Sequence, residues 1–223
     1  MLEEPRPRSS PLAYQPCVWP DGRRVTLDAG RATVRIDLSR LLENRETRRV
    51  FLVPPTQESL GEFLWLACRN RSSRPSSYGF AQESRVHPSA GGMHPIHVLA
   101  GRLGQPWMRY DPLTHELVEV HGSTRSSAAV WESASELLDA GHGMLLALVA
   151  EPGRTAAKYE HHESLVWRDA GVVLGYMSVV AEALELPFCP LGIVGQASLR
   201  LDWMPAGKLM AAGLALLGGA PAA

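Results

Sequence analysis

The chain is short of lysine, cysteine and net charge, and each shortage removes a class of function. Its ε-amines are confined to Lys158 and Lys208, so arginine meets nearly every cationic need. A formal net charge of -1 leaves no clustered positive excess of the kind that attracts nucleic acid or anionic lipid, and neither is expected as a partner. Cys17, Cys68 and Cys189 are odd in number and far apart, which suits neither a disulfide framework nor the spacing of a zinc site. A reducing cytoplasm is the compartment that fits them. His161 and His162 are adjacent, and neighbours along a helix diverge, so no metal site is expected there. No apolar run reaches the roughly 20 residues that cross a membrane, and Met1 to Pro11 lacks the basic start and apolar core of a signal peptide.

What is present suits one catalytic-size core. A hydrophobic share of 45% over 223 residues is enough to bury one sizeable interior. Pro and Ser dominate Met1 to Pro16, which reads as a mobile or extended arm. Asp21-Gly22 between short apolar stretches signals a hairpin, and the alternation over 32–38 adds β character. Thr56 precedes Leu60, Phe63, Leu64 and Ala67 at helical spacing and suits an N-cap. Strands are expected at Ile96 to Gly101, Met108 to Tyr110 and Glu116 to Val120, and a helix over Ser133 to Asp139 ended by Gly141. The unbroken apolar run Met144 to Ala150 reads as a buried central strand. Asp169 is placed to cap a helix over Ala170 to Leu184, whose apolar residues cover nearly its whole circumference and call for burial on every side. Leu209 to Leu217 ends in a strand.

Three segments carry chemistry. Pro88-Ser89-Ala90-Gly91-Gly92-Met93-His94-Pro95 is a small-residue turn whose glycines can take positive φ and let backbone N–H groups approach a flat or anionic ligand. Upstream, Arg45-Glu46-Thr47-Arg48-Arg49 offers guanidiniums and a hydroxyl for phosphate. A helical start would put Arg45 and Arg49 on one face. Lys158-Tyr159 sets a removable proton beside a phenol, a pair suited to acid/base work.

In this order the three segments resemble the nitroreductase-like flavoproteins and, more narrowly, the SagB-type azoline dehydrogenases of clusters that modify ribosomal peptides. The resemblance runs from about Leu41 to Leu217. It implies an α+β fold with a mixed or antiparallel central sheet flanked by helices, and a buried central helix at a dimer interface. The chain divides into an arm with a short β region (1–40) and an FMN-binding domain (41–223). By the same resemblance Arg45, Thr47 and Arg49 hold the FMN phosphate. Pro88, Ser89, Ala90, Gly91 and Gly92, together with Leu191 and Gly192 of Cys189-Pro190-Leu191-Gly192, present backbone to the flavin. Lys158 and Tyr159 are catalytic, with the choice of base between them left open. The implied reaction is oxidation of a thiazoline or oxazoline to the azole by a homodimer, on a peptide or small-molecule substrate, with a cyclodehydratase as partner. Two other readings remain: an NAD(P)H-dependent nitroreductase that does not need Lys158-Tyr159, and a flavin-free relative that binds a peptide or partner enzyme. Two departures bear on the last. Glu46 stands where many such dehydrogenases carry arginine, and Leu216-Leu217-Gly218-Gly219 is not followed by the Arg or Lys common in nitroreductases.

Overall fold

Every side chain from Met144 to Ala150 is buried, because this strand has protein on both faces and a paired strand on both edges. In the computed structural model, which describes residues 3–28, 35–196, 199 and 207–220, the elements run in the following order. They are β1 (Arg6–Pro7), β2 (Asp21–Thr26), α1 (Leu38–Asn44), α2 (Gln57–Cys68), β3 (Asn70–Arg74), β4 (Gln82–Arg85), β5 (Ile96–Gly101), β6 (Met108–Asp111) and β7 (Glu116–Val120). There follow α3 (Thr124–Ser135), β8 (Met144–Ala150), α4 (Pro152–Ala156), β9 (Tyr159–Glu160), α5 (Glu163–Ala183), β10 (Phe188–Pro190) and β11 (Met210–Leu217). Seven strands form one sheet in the order β10-β11-β8-β5-β6-β7-β2, with every neighbouring pair antiparallel.

Successive side chains of a strand point to opposite faces. Met144, Leu146 and Leu148 therefore join Phe63 of α2 and Val173 and Met177 of α5 in one core. Leu145, Ala147 and Val149 join Phe51, Trp107, Val130 and Trp131 in the other. Two hydrophobic layers explain why the strand does not alternate in polarity. α2 starts where its cap signal puts it, with the Ser59 N–H donating to Thr56 Oγ1 at 3.0 Å, a cap worth ~1 kcal/mol.

Several local expectations fail for identifiable reasons. Asp21-Gly22 makes no hairpin; it begins β2, which pairs with β7 and shifts register between Asp21 and Arg24, so the glycine marks a bulge. α3 lies at Thr124–Ser135, earlier than the expected 133–139. Of the expected alternation, 32–34 lie outside the described residues, 35–37 form no strand, and α1 begins at Leu38 with Asp37 as N-cap. α5 starts at Glu163, with Asp169 inside it. Within the single chain one side of α5 is covered: Val166, Ala170, Val173, Met177 and Ala181 face the core, while Trp167 and Tyr176 are 43% and 40% exposed.

The arm is extended, as one of its two readings had it, and it is tied down. β1 pairs with β9, Pro7 opposite Tyr159. Arg8 N–H donates to Lys158 O, Leu12 N–H to Ala157 O and Arg8 Nε to Ala156 O at 2.7 Å. Tyr14 OH and the Cys17 N–H both donate to Glu151. The arm thus runs alongside the Lys158-Tyr159 backbone.

Candidate functional site

The turn before β5 is held by one carboxylate from α5. Ser89 Oγ donates to Asp169 Oδ2 at 2.6 Å, the Ala90 N–H donates to Asp169 Oδ1 at 2.9 Å, and Ser89 Oγ accepts from the His94 N–H at 2.8 Å. Burial raises the Asp169 carboxyl above its ordinary range, and the bonds from Ser89 and Ala90 oppose that. Gly91 and Gly92 sit at φ 60° and 70°, and His94 follows at φ 44°, so the chain passes through the left-handed region at three of four successive residues. Expected ligand contacts are partly used inside the protein: the Ala90 N–H goes to Asp169 and the Gly92 N–H to Ser89 O. The Ser89 hydroxyl is engaged as well.

Lys158 and Tyr159 meet this turn at Gly91. Lys158 Nζ donates to Gly91 O at 3.1 Å, and Gln82 Nε2 donates to the same oxygen at 3.0 Å. A Cβ on Gly91 would fall 2.6 Å from the Tyr159 hydroxyl and 2.8 Å from Lys158 Nζ. Both functional groups therefore rest on the missing side chain. At Gly92 a Cβ would meet the Gln82 amide nitrogen at 3.0 Å, with the Glu83 carbonyl next at 4.0 Å. Gly91→Ala is expected to lower the melting temperature by about 4–8 °C, equivalent to ~2 kcal/mol of φ strain and displacement, and by more than Gly92→Ala. Equal losses in thermal melts of the two variants would show that Lys158 and Tyr159 do not depend on the gap.

Beside the turn lies a cleft of about 780 Å³ walled by β3 and β4, with Pro88, Ser89, Gly91, Gly92, His87, His94 and Tyr176 among its lining. Its wall includes part of a polar cluster: Glu83 accepts from Arg85 Nε at 2.7 Å and from Arg154 Nη2 at 3.2 Å, and Arg154 Nε donates to Met93 O. Burial would raise the Glu83 carboxyl, but the two guanidiniums hold it down at about 2. Burial, then the charge of Arg85, pushes His87 down to about 4 and His94 to about 3.

The phosphate-type residues are elsewhere. Arg45 caps the C-terminus of α1 and the residues after it are not helical, so Arg45 and Arg49 do not share a helix face. Arg48 turns to Glu46 at 3.3 Å and to Glu182 of α5 at 3.0 Å. Arg49 lies against the Cys189 thiol, where burial raises the thiol and Arg49 opposes it. The Leu191 N–H donates to Leu214 O, while Gly192 is exposed with open space where a Cβ would be. Arg45 makes no side-chain hydrogen bond or ion pair with the described residues.

The structure thus brings Pro88 to Gly92 together with Lys158 and Tyr159, and sets Arg45 to Arg49 beside the strand that leads to Leu191 and Gly192. It does not join the two groups within one chain. Asp169 anchors the first and Glu182 the second, and these lie about 20 Å apart along α5 at 1.5 Å per residue. Sequence reasoning missed Asp169 as the turn's anchor, and missed Gln82, Glu83 and Arg154. One signal was available: Asp169 is an acid on the apolar face of a helix, and buried acids need partners.

No protein-family model and no curated protein matches the chain. Solved structures do. A candidate nitroreductase of Ralstonia eutropha JMP134 aligns over 99% of this chain and 100% of its own, at 21% identity and a TM-score of 0.71. The Escherichia coli microcin synthetase McbBCD complex with truncated pro-MccB17 bound contains a chain matched over 89% of this one and 78% of its own, at 17% identity and a TM-score of 0.57. A nitroreductase family protein of Clostridium difficile 630 is matched over 84% and 87%, at 13% identity and a TM-score of 0.53. The chain has the nitroreductase-like fold, α+β with an antiparallel central sheet.

Proposed function

We propose that the protein is an FMN-dependent oxidoreductase that oxidises azoline rings in a ribosomally made peptide to azoles. The observation that carries this reading is the meeting of Lys158 and Tyr159 on Gly91, at the turn that borders the cleft. The residues fit the cofactor: two positive-φ glycines line the cleft, and the Arg45 side chain has no hydrogen-bond or ion-pair partner among the described residues. Glu46, the departure that threatened phosphate binding, has its carboxylate against Arg48, so it does not neutralise Arg45. FMN, when bound, supplies the hydride-accepting chemistry. The chain's own part is to hold it with Arg45, Thr47 and Arg49 at the phosphate, and with the Pro88 to Gly92 turn and Leu191-Gly192 along the ring. Lys158 or Tyr159 takes the substrate proton at the Gly91 corner.

The separation of the two residue groups supports a homodimer. Trp167, Gly171, Gly175 and Tyr176 leave an exposed face on α5 between its two anchored ends. A two-fold pairing across that face would carry the partner's phosphate group to this chain's glycine turn. The peptide-bound microcin synthetase complex among the similar structures supports a peptide substrate and a cyclodehydratase partner. Three free cysteines suit a reducing cytoplasm. Among the described residues no helix is long and apolar enough to cross a membrane.

The likeness to a candidate nitroreductase over almost the whole chain favours NAD(P)H-dependent nitroreduction as the second reading. Purified protein should be yellow, and Arg45→Ala should weaken FMN binding about tenfold to a hundredfold, the worth of a charge-assisted phosphate contact. Lys158→Ala should keep the colour and slow azoline oxidation about 10²–10⁴-fold. Nitroreduction undiminished in Lys158→Ala, with no azoline turnover by the parent, would select the second reading. Protein that stays colourless in excess FMN would overturn both.

A further inference from the structure

The hairpin β3–β4 carries more positive charge into the cleft than the protein neutralises. Arg71 reaches only Ser84 Oγ, at 3.4 Å. Arg74 grips Gln82 Oε1 through Nε at 3.1 Å and Nη2 at 2.8 Å. Neither has a carboxylate partner among the described residues. Glu83 is the one carboxylate in the lining, and it is already shared between Arg85 and Arg154. Both guanidiniums are exposed side chains of the cleft lining, and like charge gathered on one side of a concave site draws in an anion.

We propose that this cleft is a subsite for a carboxylate of the substrate, held by Arg71 and Arg74. The two nitrogens that Arg74 places on one amide oxygen form the fork a carboxylate fits, and exchanging the neutral Gln82 oxygen for an anionic one strengthens both bonds. Gln82 also donates to Gly91 O, so its amide links the arginine to the corner where Lys158 sits. The substrate would then lie with its anionic end under the hairpin and its reacting end toward the glycine turn. That placement rests on the flavin reading of the turn; the preference for a carboxylate does not.

Two probes of one shape separate these points. Titration calorimetry of the purified protein with para-nitrobenzoate and para-nitrobenzamide should show the acid binding about tenfold tighter, the worth of one charge-assisted contact. The exposed double substitution Arg71→Gln with Arg74→Gln should bring the acid to the affinity of the amide while the flavin absorption stays as in the parent. Equal binding of the two probes by the parent overturns the proposal, as does a double variant that still prefers the acid. Loss of flavin in the double variant would give these arginines to the cofactor phosphate and also overturn it. A colourless parent that still prefers the acid upholds the anion subsite and counts against the flavin reading alone.

Discussion

Glu151→Ala is expected to lose about 3–5 kcal/mol of stability, the cost of removing one fully buried acceptor from three hydrogen bonds to a charged group. Glu151 has no exposed surface, and its carboxylate accepts from Tyr14 OH at 2.9 Å, from the Cys17 N–H, and from His97 Nε2 at 2.9 Å. Burial alone would raise its pKa, but the hydrogen bonds it accepts from His97 and Cys17 hold it at about 2. Burial lowers His97, so the arrangement is a carboxylate fed by a neutral imidazole, a phenol and an amide. Removing the acceptor takes from three half-buried donors the carboxylate they share and frees the arm at its inner end. The melting temperature should fall by about 10 °C or more, and trypsin should cut after Arg8 much sooner. Glu151→Gln keeps the shape and one acceptor oxygen, and a neutral His97 can present a ring nitrogen to the new amide, so its loss should be less than half. An alanine variant that melts within 2 °C of the parent would mean that the arm is not anchored there.

The reach of the sequence follows from the range of the interactions. β8, β11, the strands from β5 to β7 and the Thr56 cap depend on patterns within a few residues, and all were legible. α3 was misplaced because Thr124 to Ala129 is rich in Ser and Ala and carries no apolar period; its place is set by burial of Val130, Trp131 and Ala134. α5 was shortened because His162 caps it without a side-chain bond, so Asp169 looked like the first capping residue. The arm's order comes from backbone bonds to residues about 150 positions away, which no local composition can show. At the site, the Ser-Ala-Gly-Gly turn and Lys-Tyr stood out as motifs. Their common corner at Gly91, and the partition of the candidate residues between the two ends of α5, arise only from long-range packing.

Acid should destabilise this fold well before its carboxylates titrate. His87 and His94 are nearly fully buried, and their pKa values stand at about 4 and about 3 against an ordinary 6.5. Burial is the first cause and Arg85 the second; His94 also feels His87 and Arg154, with Glu83 offsetting part of the charge. The ring of Tyr176 on α5 packs on His87. A lowered histidine pKa means that the unfolded chain takes up protons below 6.5 while the folded chain refuses them, so stability is complete above that pH and falls as pH drops toward 4. At pH 5 each ring costs about 2 kcal/mol, and the two together about 2–4 because they share one cluster. Glu83 and Glu151, with pKa values of about 2, lose their contribution only below about 4.5, so melts at pH 7.5 and 5 isolate the histidines from them. The parent's melting temperature should drop by about 8 °C or more over that interval. The double variant His87→Gln with His94→Asn, asparagine being chosen because position 94 sits at φ 44° where it is tolerated, should lose at least a third of the drop, His97, His115 and His162 keeping the rest. A drop as large as the parent's would remove these two rings as the cause. Both rings line the cleft, so their protonation strikes the glycine turn first, and near-ultraviolet circular dichroism should change at a higher pH than the one at which helix is lost.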